Sequence, residues 1–157
     1  MVDYDKVLDL LRALERERVE YVLVGGVALN LLGITRATQD VDIVVRLDEQ
    51  NIERLKNALR SVWNDPAIEE ITFGDLAGDY PAIAYGPTDE AFGIDIVTRF
   101  GDMFPYEDLQ AEIRPWEGVQ VPVATPRTLY RMKKNTVRLI DRYDVAELQE
   151  RFGIKDE

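Results

Sequence analysis

Residues 21–45 read YVLVGGVALNLLGITRATQDVDIVV, and this stretch decides the fold of the chain. Its apolar, β-branched opening predicts a strand, and the run over 40–46 predicts a second one. Between them, Gly25 and Gly26 stand where the first strand must turn into a short helix. Glycine suits that bend because it accepts φ > 0 and lets another group approach the backbone closely. The stretch therefore predicts a strand, a glycine bend, a helix and a second strand.

Two aspartates alternate with apolar residues on the second predicted strand. Asp40 and Asp42 point to the same face, because successive side chains of a strand alternate between its faces. Neighbouring carboxylates repel each other unless a cation lies between them. Oxygen ligands without His or Cys suit Mg²⁺ or Mn²⁺ better than Zn²⁺. Taken alone, such a pair is more often the solvated face of a strand.

The glycine bend changes the interpretation of that pair. Free N–H groups at the start of the helix that follows Gly25-Gly26 favour an anion such as phosphate. Most glycine pairs are simple turns. A phosphate cradle beside a metal-binding carboxylate pair, however, is what phosphoryl or nucleotidyl transfer requires.

The stretch resembles the nucleotidyltransferase superfamily that includes DNA polymerase β. It is similar to small bacterial members with paired glycines, among them aminoglycoside- and lincosamide-type nucleotidyltransferases and the nucleotidyltransferase toxins of abortive-infection systems. The residues that carry the resemblance are Gly25, Gly26, Arg36, Thr38, Asp40, Val41, Asp42 and Ile43. The resemblance implies an α/β nucleotidyltransferase fold, in which helices flank a mixed β-sheet and further helices lie at the C-terminal end.

The resemblance also implies a third carboxylate on a neighbouring strand, which completes the metal site and activates the attacking hydroxyl. Asp95 fits this role, because it lies between two isoleucines in the predicted strand 92–98. It joins the first two aspartates if that strand lies beside theirs; otherwise it is an exposed strand aspartate. Asp89 and Asp102 compete for the role but lie in turn-like stretches.

Basic residues gather in one late segment, 127–142, of an otherwise acidic chain. Such segregation predicts an anion site, and a nucleoside triphosphate is the obvious occupant. The alternative is a solvated helix face that pairs with acids elsewhere. By resemblance to related enzymes, a lysine and an Arg–x–x–Asp-like pattern on the late helices are filled by Lys133, Arg138, Asp141 and Asp144.

Arg36 precedes the aspartate pair and has two interpretations. It either contacts phosphate or fixes the loop before Asp40. With Gly25, Gly26, Lys133 and Arg138 it makes up the predicted nucleotide-binding set.

The remaining pattern predicts one domain over residues 1–157, with a helical part at about 125–151. Further helices are expected over 4–18, 49–62, 126–137 and 140–151, and a helical turn or short helix at 105–111. Further strands are expected over 67–73, 81–85, 92–98, 112–115 and 119–123.

Composition limits the chemistry. The 157-residue chain has no cysteine and no histidine, so thiol and imidazole catalysis are excluded, and a cytoplasmic location is expected. No run approaches the ~20 apolar residues of a membrane span. The net charge of −11 disfavours a broad nucleic-acid surface.

We therefore expect a metal-dependent nucleotidyltransferase that moves an NMP from an NTP such as ATP to a hydroxyl. The acceptor is expected to be a small molecule or a protein rather than long RNA. The alternative is a nucleotide-binding or partner-binding component of a bacterial toxin–antitoxin system with little turnover. A chain of this size leaves little room for an acceptor domain, which favours a homo-oligomer or a partner protein.

Overall fold

The computed structural model describes residues 2–100, 104–134 and 139–155. Within these ranges the α-helices are α1 (Tyr4–Arg16), α2 (Gly25–Leu31), α3 (Glu49–Val62), α4 (Phe73–Leu76), α5 (Pro126–Lys133) and α6 (Leu139–Phe152). The strands are β1 (Tyr21–Val24), β2 (Asp40–Val45), β3 (Ala82–Tyr85), β4 (Gly93–Val97), β5 (Arg99–Phe100), β6 (Phe104–Pro105), β7 (Ala111–Trp116) and β8 (Val119–Ala124). Short 3₁₀ turns cover Pro66–Glu70 and Tyr106–Asp108.

Six of these strands form one sheet in the order β3-β4-β2-β1-β8-β7. The pairs β2–β4 and β1–β8 are parallel, whereas β1–β2, β3–β4 and β7–β8 are antiparallel. The strands β5 and β6 form a separate two-stranded ribbon. The predicted mixed sheet with flanking helices is confirmed, and the stretch that decides the fold supplies its two central strands.

Side-chain caps explain where three helices begin. The Asp3 carboxylate accepts hydrogen bonds from two backbone N–H groups of the first turn of α1. Asp48 caps α3 in the same way, and Thr125 caps α5 immediately before Pro126. Each cap satisfies donors that have no partner inside the helix, and proline fits the first turn because its missing N–H would be unpaired there.

A continuous hydrophobic core supports the sheet. The helix α1 packs on α3 and β8, α2 packs on β1 and β2, and α5 packs on α6. Leu14, Leu23, Ile43, Leu55 and Leu59 are fully buried in this core. The apolar stripes of α1 and α3 recur at helical spacing, so each helix buries one face.

One of two short predicted elements differs from the structure. The strand predicted over 67–73 is wrong: this part forms a 3₁₀ turn followed by α4. Asp65 caps the turn and Pro66 opens it, while Ile68 and Ile71, three residues apart, are both buried. Three-residue spacing places both side chains on one face of a 3₁₀ helix. Of the helical turn or short helix predicted over 105–111, the structure shows the turn, a 3₁₀ turn at Tyr106–Asp108.

Among the described residues, none of the helices has both the length and the apolar character that crossing a bilayer requires.

Asn51 ties the start of α3 to the ends of β1 and β2. Its side chain is fully buried, accepts from the Glu20 N–H at 2.7 Å and donates to the carbonyls of Glu20 and Arg46 at 3.0 and 2.9 Å. Asn51→Ala removes all three of these part-buried hydrogen bonds, although the Glu20 carbonyl keeps a hydrogen bond from the Arg46 N–H. We expect a loss of about 2 kcal/mol or more in the free energy of unfolding.

Urea denaturation measures this loss, with Gln50→Ala as the control because Gln50 is the exposed neighbour on the same helix. The control should change stability by less than about 0.5 kcal/mol. Equal, small effects of the two substitutions would contradict the role of Asn51.

Candidate active site

Two carboxylates meet where β2 and β4 run side by side. The parallel register places Asp42 opposite Asp95 and Asp40 opposite Gly93. All three aspartates are half-buried on the same face of the sheet. Gly93 leaves room for its acidic neighbour, because a Cβ there would lie 2.9 Å from Oδ1 of Asp40. The structure thus brings Asp42 and Asp95 together, with Asp40 two residues back along the strand.

Proximity changes the electrostatics of the Asp42–Asp95 pair. Burial, the hydrogen bond and negative charge of Asp95, and the charge of Asp40 together raise the pKa of Asp42 to about 7. Lys133 opposes this shift, so its ammonium group acts on the pair. A carboxyl pKa this high shows that the nearby positive charge does not balance the negative charges of the aspartates. A cation bound beside them would stabilise the ionised form of Asp42.

The glycine bend is fitted around the same carboxylate. Gly25 has φ of +73°, and a Cβ at this position would overlap the carboxylate of Asp42. A Cβ on Gly26 would lie 2.7 Å from Oγ1 of Thr38. A side chain is therefore disfavoured at both positions. At Gly25 both the positive φ and the contact with Asp42 disfavour it, whereas at Gly26 only the contact with Thr38 does. The backbone of the bend lies directly against Asp42.

Four charged residues form a second cluster beside the bend, which we call the Asp144 cluster: Arg36, Lys133, Asp141 and Asp144. Lys133 Nζ donates to Asp141 at 2.8 Å and lies 3.1 Å from Oδ2 of Asp144. Arg36 Nη1 lies 3.2 Å from the same oxygen of Asp144. Asp144 is 0% exposed and Lys133 is 14% exposed, so the cluster is an interior feature of the fold.

The Asp144 cluster lies between the late helices and the glycine bend. A Cβ on Gly26 would lie 3.4 Å from Nη1 of Arg36, so the guanidinium lies next to the bend. The loop that carries Arg36 is fixed by a hydrogen bond from its N–H to Oδ1 of Asn30 at 3.0 Å. Asn30 therefore fixes the backbone of this loop, and the Arg36 side chain presents a cation beside the bend; both interpretations of its role stay predictions.

The acidic members of this cluster were less evident from the sequence. Asp141, Asp144 and Leu148 are all buried on α6, at the i, i+3 and i+7 spacing of one helix face. That spacing was the available signal, but aspartate at two inward positions reads as a solvated surface. Lys133 is not on a solvated face, since it lies between these acids and the carboxylate pair.

The remaining predicted residues are placed as follows. Asp89 is exposed and has φ of +66°. It lies in the turn between β3 and β4 and not on the strand that carries Asp95. Arg138 and Asp102 lie outside the described residues. Within the described ranges, no group of three or more acidic side chains stands ready-made to hold a metal ion.

The six-stranded sheet and its flanking helices together form the fold of nucleotidyltransferases. A candidate nucleotidyltransferase from Thermotoga maritima superposes with a TM-score of 0.55 at 17% identity, covering 97% of this chain and 94% of that one. The aminoglycoside nucleotidyltransferase ANT(2")-Ia, solved with adenylyl-2"-tobramycin, superposes with a TM-score of 0.55 at 13% identity, covering 96% of this chain and 91% of that one. No curated protein matches the chain.

The family is shown by the sequence itself. The model of the nucleotidyl transferase AbiEii toxin family, of type IV toxin–antitoxin systems, matches residues 9–152. The chain belongs to this family and is accordingly a nucleotidyltransferase.

Gly25→Ala tests how closely the bend is fitted to Asp42. Alanine at this φ costs about 1–2 kcal/mol by itself, and its Cβ also displaces the carboxylate. We expect the free energy of unfolding to fall by at least that amount, measured by urea denaturation.

Gly86→Ala is the control, because a Cβ at that position meets nothing within 4 Å. A Gly25→Ala protein as stable as the Gly86→Ala protein would show that the bend does not depend on glycine.

Proposed function

We propose that the protein transfers a nucleoside monophosphate from an NTP, with Mg²⁺ or Mn²⁺, to a hydroxyl of an acceptor. The observation that carries this proposal is the Asp42–Asp95 pair held against the glycine bend. Membership of a nucleotidyltransferase family supports the reaction type.

The acidic residues fit a hard divalent cation. Asp42 and Asp95 are near enough to share a hydrogen bond, and Asp40 is near enough to raise the pKa of Asp42. Carboxylate oxygens, completed by water and phosphate oxygens, are typical ligands of Mg²⁺ and Mn²⁺. We assign Asp40, Asp42 and Asp95 as the metal ligands. A bound ion would neutralise these carboxylates and polarise the triphosphate.

The triphosphate is proposed to lie over the glycine bend. Gly25 is partly exposed and has no side chain, so phosphate oxygens can approach its backbone closely, whereas Gly26 is buried behind it. Arg36 and Lys133 lie beside the bend and supply positive charge. Arg138 completes the proposed nucleotide-binding set.

The carboxylates of the chain also handle the proton. Asp95 accepts the proton of the acceptor hydroxyl, since no histidine is available for this role. The hydroxyl oxygen attacks the α-phosphorus and forms a new P–O bond. The bond from the α-phosphorus to the bridging oxygen breaks, and pyrophosphate leaves from the opposite side.

Asp144 acts as a positioning residue in this proposal. It is fully buried between Arg36 and Lys133, and within the described residues no hydrogen bond of good geometry reaches either of its oxygens. Such a buried charge contributes little net stability, because desolvation offsets the attraction. Its proposed role is to hold both cations at the phosphate side of the site.

The cellular role is proposed from the family. A toxin of a type IV toxin–antitoxin system would act on a cytoplasmic NTP and be opposed by a partner protein. The alternative within this role is a component that binds nucleotide or partner with little turnover. Metal-dependent NTP binding without release of pyrophosphate, across a panel of acceptors, would favour that alternative.

Asp95→Asn tests the proposed catalytic role. We expect NMP transfer to fall by about 100-fold or more, because the variant has lost both a metal ligand and the proton acceptor. Transfer is measured with radiolabelled NTP, Mg²⁺ and a mixture of small-molecule, tRNA and protein acceptors, together with the release of pyrophosphate.

Asp89→Asn is the matched control, because it makes the same chemical change at an exposed turn residue. Its positive φ tolerates asparagine well. Undiminished transfer by Asp95→Asn, or an equal loss in both variants, would overturn the assignment of Asp95.

A further inference from the structure

A cavity lies at the end of α2 that is remote from the glycine bend. We call it the Tyr4 cavity: it has a volume of about 390 Å³ and lies between the N-terminal residues Val2 and Tyr4, Asn30 of α2 and the loop from Gly33 to Thr38. The bend is at the other end of α2, which has seven residues and is therefore about 10 Å long. Small-molecule sites occupy about 300–1,000 Å³, so the cavity is large enough for a ligand of its own.

The polar groups of the Tyr4 cavity are mainly hydrogen-bond donors. The Asn30 side chain accepts from the Arg36 N–H and donates to the hydroxyl oxygen of Tyr4. The Tyr4 hydroxyl proton is left to donate elsewhere, and within the described residues neither it nor the Thr35 hydroxyl has an acceptor. No aspartate or glutamate is among the described residues that line the cavity. A ligand group rich in acceptors would satisfy these donors.

A cation stands beside the cavity. The Arg151 guanidinium lies against Gly33, because a Cβ on that glycine would be 2.7 Å from its Nη2. Arg151 is exposed, and within the described part of the chain no carboxylate pairs with it. The Arg36 guanidinium, by contrast, pairs with Asp144. Arg151 is therefore the cation that can bind an anionic group of a ligand in the cavity.

Apolar side chains complete the lining. Val2 and Ile34 are buried hydrophobic residues that contribute to its wall. The Tyr4 ring packs edge-on against Trp116 at a centroid distance of 5.9 Å, which holds the ring in place. A flat ring or a short apolar chain would lose contact with water against these groups. Together with the donors and Arg151, this lining fits a small organic anion that has an apolar body and an acceptor-rich head.

The loop that lines the cavity also contacts the glycine bend. The Val2 N–H donates to the Thr38 carbonyl at 3.0 Å, and Oγ1 of Thr38 donates to the Asp40 carbonyl at 3.0 Å. The same Oγ1 would be 2.7 Å from a Cβ on Gly26. A ligand in the cavity therefore touches the segment that carries Arg36 and leads into Asp40. Two sites that share such a segment affect each other's affinity by the same factor when one ligand restrains it.

We propose that the Tyr4 cavity is a regulatory site for a small organic anion with an apolar body, and that its occupant strengthens NTP binding by restraining the loop that carries Arg36. The proposed binding in the cavity does not depend on catalysis. The coupling rests on the proposed function, which places the triphosphate beside Arg36.

Methyl NMR of the full-length chain tests binding with benzoate as the probe, because benzoate joins a flat apolar ring to a carboxylate. We expect saturable shifts of the methyl resonances of Val2, Ile34 and Thr35. Benzamide has the same shape without the charge and should bind about threefold more weakly or worse. Inorganic phosphate has the charge without the apolar body and should leave these resonances in place. Either order of affinity between benzoate and phenyl phosphate supports the site and identifies its preferred head group.

Two variants separate the contributions of charge and hydrogen bonding. Arg151→Gln should weaken benzoate binding by about threefold or more, because the exposed cation is lost. Thr35→Val keeps the shape of the side chain, removes one donor and should also weaken binding. The control is Arg54→Gln, which makes the same charge change at a partly exposed residue of α3 and should bind benzoate like the wild type.

The coupling is measured by titrating α,β-methylene-ATP, whose α,β bridge blocks NMP transfer, into the protein with Mg²⁺. We expect saturating benzoate to strengthen binding of this analogue by about fivefold. Unchanged affinity would overturn the coupling. Mutual displacement of benzoate and the analogue would overturn the proposal of a separate site and make the cavity part of the nucleotide site.

The assignment of the cavity has its own decisive outcomes. Shifts confined to other methyl groups, equal binding of benzamide, or equal weakening by Arg54→Gln would overturn it. Benzoate shifts at Val2, Ile34 and Thr35 together with no binding of α,β-methylene-ATP would support the cavity and count against the proposed function instead.

Discussion

The candidate site depends on one electrostatic repulsion, because the pairing of two strands in the sheet places two carboxylates next to each other. Parallel pairing of β2 with β4 sets Asp42 opposite Asp95, and neither strand can slip by one residue without turning its apolar face outward. The repulsion is therefore fixed by the same core that stabilises the fold. A fold that maintains such repulsion does so at the expense of stability, which is a pattern of functional sites and not of structural ones.

The surroundings of the pair follow from this conflict. Gly25 and Gly93 are glycines because their missing side chains leave space for Asp42 and Asp40. Lys133 reaches the pair from α5 and is itself held by acids of α6. The late helices α5 and α6 thus carry charged side chains near the carboxylate pair as well as apolar side chains in the core.

Much of the fold was predictable from sequence, because its signals are local. The caps at Asp3, Asp48 and Thr125, the glycine bend and the alternation around Asp42 each depend on a few neighbouring residues. The strand predicted over 67–73 failed because apolar content outweighed the turn signal of Asp65-Pro66. Two inward-facing aspartates on α6 were assigned by resemblance, but their partners could not be derived, because an ion cluster forms between segments that are distant in the chain. The contact between Asp42 and Asp95 could likewise be stated only conditionally, since the register between β2 and β4 is a property of the assembled sheet.

The most direct measurement is an anomalous diffraction experiment on crystals grown with Mn²⁺ and α,β-methylene-ATP. The account predicts a manganese peak that bridges Asp42 and Asp95, with the phosphates against the Gly25-Gly26 backbone. Bound nucleotide with no manganese at these carboxylates, or manganese bound elsewhere on the chain, would contradict it.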